Sequence, residues 1–97
     1  MFNIEVHPSA RDELREAAIW YNKQREGLGI EFFEEVSHNI NLISENPNIW
    51  PEYLEQFHRL ILKQFPYNII YRVHHDFIEI IAIAHQKRKP LYWKNRV

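Results

Sequence analysis

The sequence predicts an α+β domain of order β-α-α-β-β-β, with a helical hairpin packed on one face of a small twisted antiparallel sheet. Three observations predict it. Two stretches with apolar residues at helical spacing flank the only two glycines, Gly27 and Gly29. Three later stretches rich in Ile, Phe, Tyr and Val follow one another through short links, as strands of a meander do. The composition, 45% hydrophobic and 26% charged over 97 residues, is that of one folded domain with a single modest core, residues 1–97.

Taken in order, Phe2 to His7 alternates apolar and polar residues, the pattern of a short strand with one buried face. Pro8 ends it, and Ser9 is a good N-cap for a first helix from Ser9 to Arg25. Ala10, Leu14, Ala17, Ala18 and Tyr21 would line its buried stripe. Gly27 and Gly29 bracket Leu28, where a positive φ or a close approach of two backbones is expected. The second helix carries Phe32, Val36, Ile40 and Ile43 along one stripe, with acidic residues near its start, and Asn46-Pro47 stops it. Pro47 to Gln56 reads as a loop whose Ile49, Trp50 and Tyr53 fold back onto the core. Phe57–Leu62, Tyr67–His74 and Phe77–Ala84 are the three meander strands. The helical hairpin returns the chain to the end it left, so the first strand can join the same sheet. From Pro90 to Arg96 a helical turn and an extended tail are both compatible with the proline.

The net charge of -1 conceals an asymmetry. Met1 to Glu55 holds four cations against eleven carboxylates, a net of -7, and Gln56 to Val97 holds eight against two, a net of +6. A cationic half raises the expectation of nucleic acid or an acidic protein as partner, while mutual neutralisation of the halves is the alternative. There is no cysteine, so disulfides and thiolate metal sites are excluded and a cytoplasmic location is expected. The longest apolar run, Ile80 to Ala84, is too short to span a bilayer. Phosphate-cradling glycine loops, dinucleotide fingerprints, HExxH, serine elbows and zinc-finger spacings are all missing. No cofactor or metal is expected.

The interactive side chains concentrate at one place. The apolar strand ending at Ala84 delivers His85, then Lys87, Arg88, Lys89, Tyr92 and Trp93, with Arg96 just beyond. Strand parity would put Glu79, Ile81, Ile83 and His85 on one face, and Arg72 with Ile70 and His74 on one face of the preceding strand. Arg72, Glu79 and His85, with Arg59 or His58, would then form one concave patch on the face away from the helices. Metal-free RNA cleavage needs a base, an acid and cations for the phosphate, types that His85, Tyr92, Arg59 and Arg88 supply. A strand-end histidine beside solvated cations, and Leu91, Tyr92 and Trp93 as core plugs, are the structural alternatives. His74 and His75 read as solvated turn residues. A groove along the flank of the helical hairpin could take an amphipathic partner.

Several short motifs occur together in order: Gly27-Leu28-Gly29 followed by Phe32 and Phe33, Asn46-Pro47, Arg59, Phe65-Pro66-Tyr67-Asn68-Ile69-Ile70-Tyr71, then Ile83-Ala84-His85-Gln86-Lys87-Arg88-Lys89-Pro90 and Tyr92-Trp93 with Arg96. In this combination, nearly end to end, the chain resembles the RelE/ParE toxin superfamily of type II toxin-antitoxin modules. The resemblance implies the same β-α-α-β-β-β fold and a cognate antitoxin whose disordered tail folds along the toxin. It is closer to the ParE-like branch, which implies inhibition of DNA gyrase without catalysis. Target contacts would then come from Arg72, His85, Lys87, Arg88, Lys89, Tyr92, Trp93 and Arg96. The RelE-like branch implies a ribosome-dependent mRNA endonuclease, with the ribosome and mRNA as partners and Arg59, His85, Arg88 and Tyr92 as its working residues. Lys63, in the link between them, is the only lysine at the second and third strands, which departs from the lysine-rich cleft of that branch.

Overall fold

The computed structural model describes residues Met1–Val97. The elements follow the predicted order: β1 (Asn3–Val6), α1 (Pro8–Gln24), α2 (Leu28–Glu45), β2 (Phe57–Ile61), β3 (Tyr67–Val73) and β4 (Phe77–His85), with a short 3-10 turn at Lys94–Arg96. No helix is long and apolar enough to cross a membrane. Helix α1 starts one residue before the expected boundary, because Pro8 fits the first turn and His7 acts as the cap. The Ser9 N–H donates to His7 Nδ1 at 3.1 Å.

The four strands lie in the order β1-β4-β3-β2. The meander β2-β3-β4 is antiparallel as expected, but β1 pairs with β4 in parallel, so the sheet is mixed. The helical hairpin explains the direction. Its far end returns to where β1 began: Phe2 N–H donates to the Ser44 carbonyl at 3.0 Å, and Ser44 Oγ donates back to the Phe2 carbonyl at 2.8 Å. Strand β2 therefore sets off in the same sense as β1. Two antiparallel reversals later, β4 runs in that sense too.

The glycines fulfil both expectations made of the link. Gly27 caps α2 at φ 90°, and Gly29 lies where the helices nearly touch. A Cβ on Gly29 would run into the Ala18 carbonyl oxygen, so α1 and α2 can pack this closely only without a side chain there.

The core between helices and sheet gathers Ala10, Ala17, Phe32, Val36 and Ile43 from the helices with Leu60, Ile69, Tyr71, Ile78, Ile80 and Ile83 from the strands. The other face of the sheet is also covered. Phe57, Ile70, Ile81, Ala82, Ala84 and Trp93 form a second cluster, with Tyr53, Leu91 and Tyr92 against it. Trp93 is only 2% exposed, so the segment after β4 is a plug across the sheet. Of the three loop residues expected to fold back, Trp50 and Tyr53 do. Ile49 does not: it is 67% exposed.

Candidate functional site

Strand β4 carries an irregularity that rearranges the candidate site. Ile70 pairs with Ala82 and Tyr71 with Ile80, leaving Ile81 without a partner. This is a β-bulge, which inserts one residue and inverts the alternation beyond it. Ile81 and Ala82 consequently face the same way, and Ile83 turns toward the helices. His85 follows Ile83 and packs edge-on against Tyr67, with ring centroids 5.0 Å apart. The expected sharing of one face by Glu79 and His85 therefore fails. His58 also faces the helices, 7% exposed, stacked on Tyr71 at 5.0 Å and bonded through Nδ1 to the Trp50 carbonyl at 2.8 Å.

The single expected patch is thus divided. At one end of the sheet Arg72 donates to Gln56 Oε1 at 2.9 Å and His74 meets Glu79 Oε1 at 3.0 Å while stacking on Phe77. At the other end Arg59, His85, Arg88 and Tyr92 come together around a cleft of about 150 Å³. Asn68 from β3 and Lys89 and Trp93 from the tail complete its walls. No carboxylate lines it. The Arg59 guanidinium lies 4.1 Å from the centre of the Tyr53 ring, and that of Arg88 lies 3.8 Å from the centre of Tyr92.

The tail that forms one wall is fastened to α1 by Glu13, a residue that the sequence did not distinguish. The Tyr92 hydroxyl donates to Glu13 Oε2 at 2.6 Å, and Arg96 donates to both carboxylate oxygens at 2.8 and 2.9 Å. Arg96 also reaches the Ile81 carbonyl at 3.0 Å. Burial, then the bond to Glu13, pushes the Tyr92 hydroxyl far above the ordinary tyrosine range. The hydrogen bonds to Glu13 raise the Arg96 guanidinium above its usual value. Trp93 and Arg96 are occupied structurally, whereas Lys87, Arg88 and Lys89 are exposed. At the strand exit His85 Nδ1 accepts the Lys87 N–H at 3.0 Å, holding the turn that presents the three cations.

A second surface lies on the outer side of the helical hairpin. An apolar groove of about 750 Å³ runs between α1 and α2, lined by Leu14, Ala18, Ile19, Ile30 and Phe33 over Gly29. Ile19, Ile30 and Phe33 are each more than half exposed, at 51%, 64% and 51%. Arg11, Arg15 and Lys23 stand along it. The signal in the sequence was the apolar residues lying off the core stripe of each helix.

Comparison with known proteins agrees with this architecture. A chain of a chromosomal ParDE TA system from P. aeruginosa has a TM-score of 0.78 at 16% sequence identity, over 88% of this chain and 96% of that one. At this identity the likeness is one of fold. No curated protein matches the sequence. The model of the family described as the ParE toxin of type II toxin-antitoxin system, parDE, matches residues 4–90, and the chain belongs to that family.

Proposed function

We propose that this chain is the toxin of a type II toxin-antitoxin pair, that it inhibits DNA gyrase through the exposed cations at the exit of β4, and that an antitoxin neutralises it from the helical groove. Family membership supports the toxin reading. The observation that carries binding over bond cleavage is the state of Tyr92. Its hydroxyl is committed to Glu13 at 2.6 Å and holds its proton tightly, so the group that would protonate a leaving oxygen is engaged elsewhere. The endonuclease reading has in its favour that Arg59, His85, Arg88 and Tyr92 do share one cleft.

The groove supports an antitoxin through its chemistry. Exposed Ile19, Ile30 and Phe33 make an apolar floor of the kind that takes the apolar face of a partner helix. Arg11 and Lys23 at the margin suit an acidic segment.

The test uses purified toxin, gyrase and supercoiled plasmid. Cleaved gyrase-DNA complexes are expected to accumulate, and a Lys87→Ala, Lys89→Ala variant is expected to lose this effect while still binding antitoxin. Ile30→Asp should do the reverse, arresting growth even when antitoxin is present. Intact gyrase cycling at toxin levels that stop growth, together with discrete cuts in translated messages, would replace this reading with the endonuclease one.

A further inference from the structure

Seven arginines occur in the chain, and most are already satisfied. Arg15 pairs with Asp12, Arg25 with Glu31, Arg96 with Glu13, and Arg72 donates to Gln56. Arg59 and Arg88 join no ion pair, yet both line the same carboxylate-free cleft. They are nonetheless held. Each lies over a tyrosine ring, Tyr53 and Tyr92 respectively, at 4.1 and 3.8 Å. Stacking of this kind fixes the guanidinium plane while leaving its N–H donors free at the edge.

The backbone supplies an independent observation. Only three non-glycine residues have positive φ: Leu54 at 78°, Glu55 at 52° and Leu91 at 64°. Leu54 and Glu55 directly follow Tyr53, and Leu91 directly precedes Tyr92. Left-handed backbone at leucine and glutamate is unfavourable and collects at sites where a side chain must be aimed. Both stacking platforms are thus set beside strained residues in the lining of one cleft.

We propose that this cleft is a phosphodiester-binding site, in which Arg59 and Arg88 grip one backbone phosphate of a nucleic acid and Lys89 adds a nearby charge. Its volume of about 150 Å³ suits a phosphate group and falls short of the ~300–1,000 Å³ typical of sites for whole small molecules. The two guanidiniums provide directed, charge-assisted N–H donors, the geometry that phosphate oxygens accept best. Asn68 and Gln86, which line the cleft and lie 3.3 Å apart, add neutral donors. The function is retention of a strand, whichever target the toxin acts on.

Fluorescence anisotropy with one 12-nucleotide sequence, labelled as single-stranded DNA, duplex DNA and RNA, tests it without any other protein. Binding is expected at low salt and should weaken as salt rises. Arg59→Ala and Arg88→Ala should each weaken binding on the order of tenfold and reduce the salt slope by about one. Arg59→Lys, which keeps charge but loses the planar fork, should fall between. Arg25→Ala removes an exposed arginine at the helical link, outside the cleft, and should leave binding unchanged. Whichever oligonucleotide binds tightest identifies the strand, and equal binding of all three points to phosphate alone. Thermal melts establish that each variant is folded. No binding by the wild-type chain at low salt, or an equal loss with Arg25→Ala, overturns the proposal.

Discussion

Both oxygens of Glu13 are fully used. Oε1 accepts from the Ile83 N–H at 3.0 Å and from Arg96 Nη1, and Oε2 accepts from Tyr92 and Arg96 Nη2. The pair is well shielded, with side-chain exposures of 14% for Arg96 and 16% for Glu13. Removing the negative charge alone leaves a guanidinium away from water without a counterion, which costs more than the pair itself is worth. Glu13→Gln is therefore expected to destabilise the fold by about 3 kcal/mol, read as a drop in the urea midpoint at constant slope. Adding Arg96→Met should recover part of that loss; a second loss that simply adds to the first would show that the two residues act independently. In the sequence Glu13 is one acid among eleven in its half, because its partners lie 70 to 83 positions away. Arg59 and Arg88, by contrast, were legible as cations near a candidate surface. Their stacking on Tyr53 and Tyr92 was not, since it depends on where a loop and a tail come to rest.

Within the elements, helix stripes and the antiparallel meander could be read because each depends on neighbours in sequence. Phe32, Val36 and Ile43 are fully buried where the period places them. The bulge at Ile81 could not be read, since an unbroken run of apolar residues gives no sign of which one is extra. The parallel pairing of β1 was within reach, because a hairpin that returns the chain to its start dictates that direction. The two glycines of the helical link do different work, and this gives a prediction. Gly29→Ala forces a methyl group against the Ala18 carbonyl and leaves its Cβ 3.0 Å from that of Asn22, so the helices must separate. A loss of roughly 1–3 kcal/mol is expected. At Gly27 an added Cβ meets nothing within 4 Å, and only the φ of 90° is demanding. Gly27→Asn should cost no more than about 1 kcal/mol, because asparagine visits left-handed backbone readily. Thermal unfolding of the two variants checks the order, and a costlier change at Gly27 would mean that the close helix contact contributes little.

For the whole molecule, the -7 and +6 halves neutralise each other only in part. Arg96 with Glu13 and the long, exposed Lys94–Glu55 pair at 3.9 Å are the ion pairs that join them. Arg59, Lys63, Lys87, Arg88 and Lys89 remain outside any ion pair, so the second half keeps a positive field. The same packing sets the response to alkali. Burial raises the hydroxyls of Tyr21, Tyr67, Tyr71 and Tyr92 above the ordinary value of 10.0. Tyr71 is fully buried and donates to the Pro47 carbonyl at 2.6 Å. Below pH 10 these tyrosines are protonated folded and unfolded alike, and they add no pH dependence. Above it the unfolded chain releases protons that the folded chain retains, so stability falls as pH rises toward the folded values. Tyr71 alone should contribute a slope approaching about 1.4 kcal/mol per pH unit in that window. Urea unfolding between pH 8 and 11 should show a plateau followed by a decline. Tyr71→Phe, less stable at pH 8 for want of its bond to Pro47, should decline less steeply, and parallel curves for the two proteins would show that Tyr71 ionises as freely in the fold as outside it.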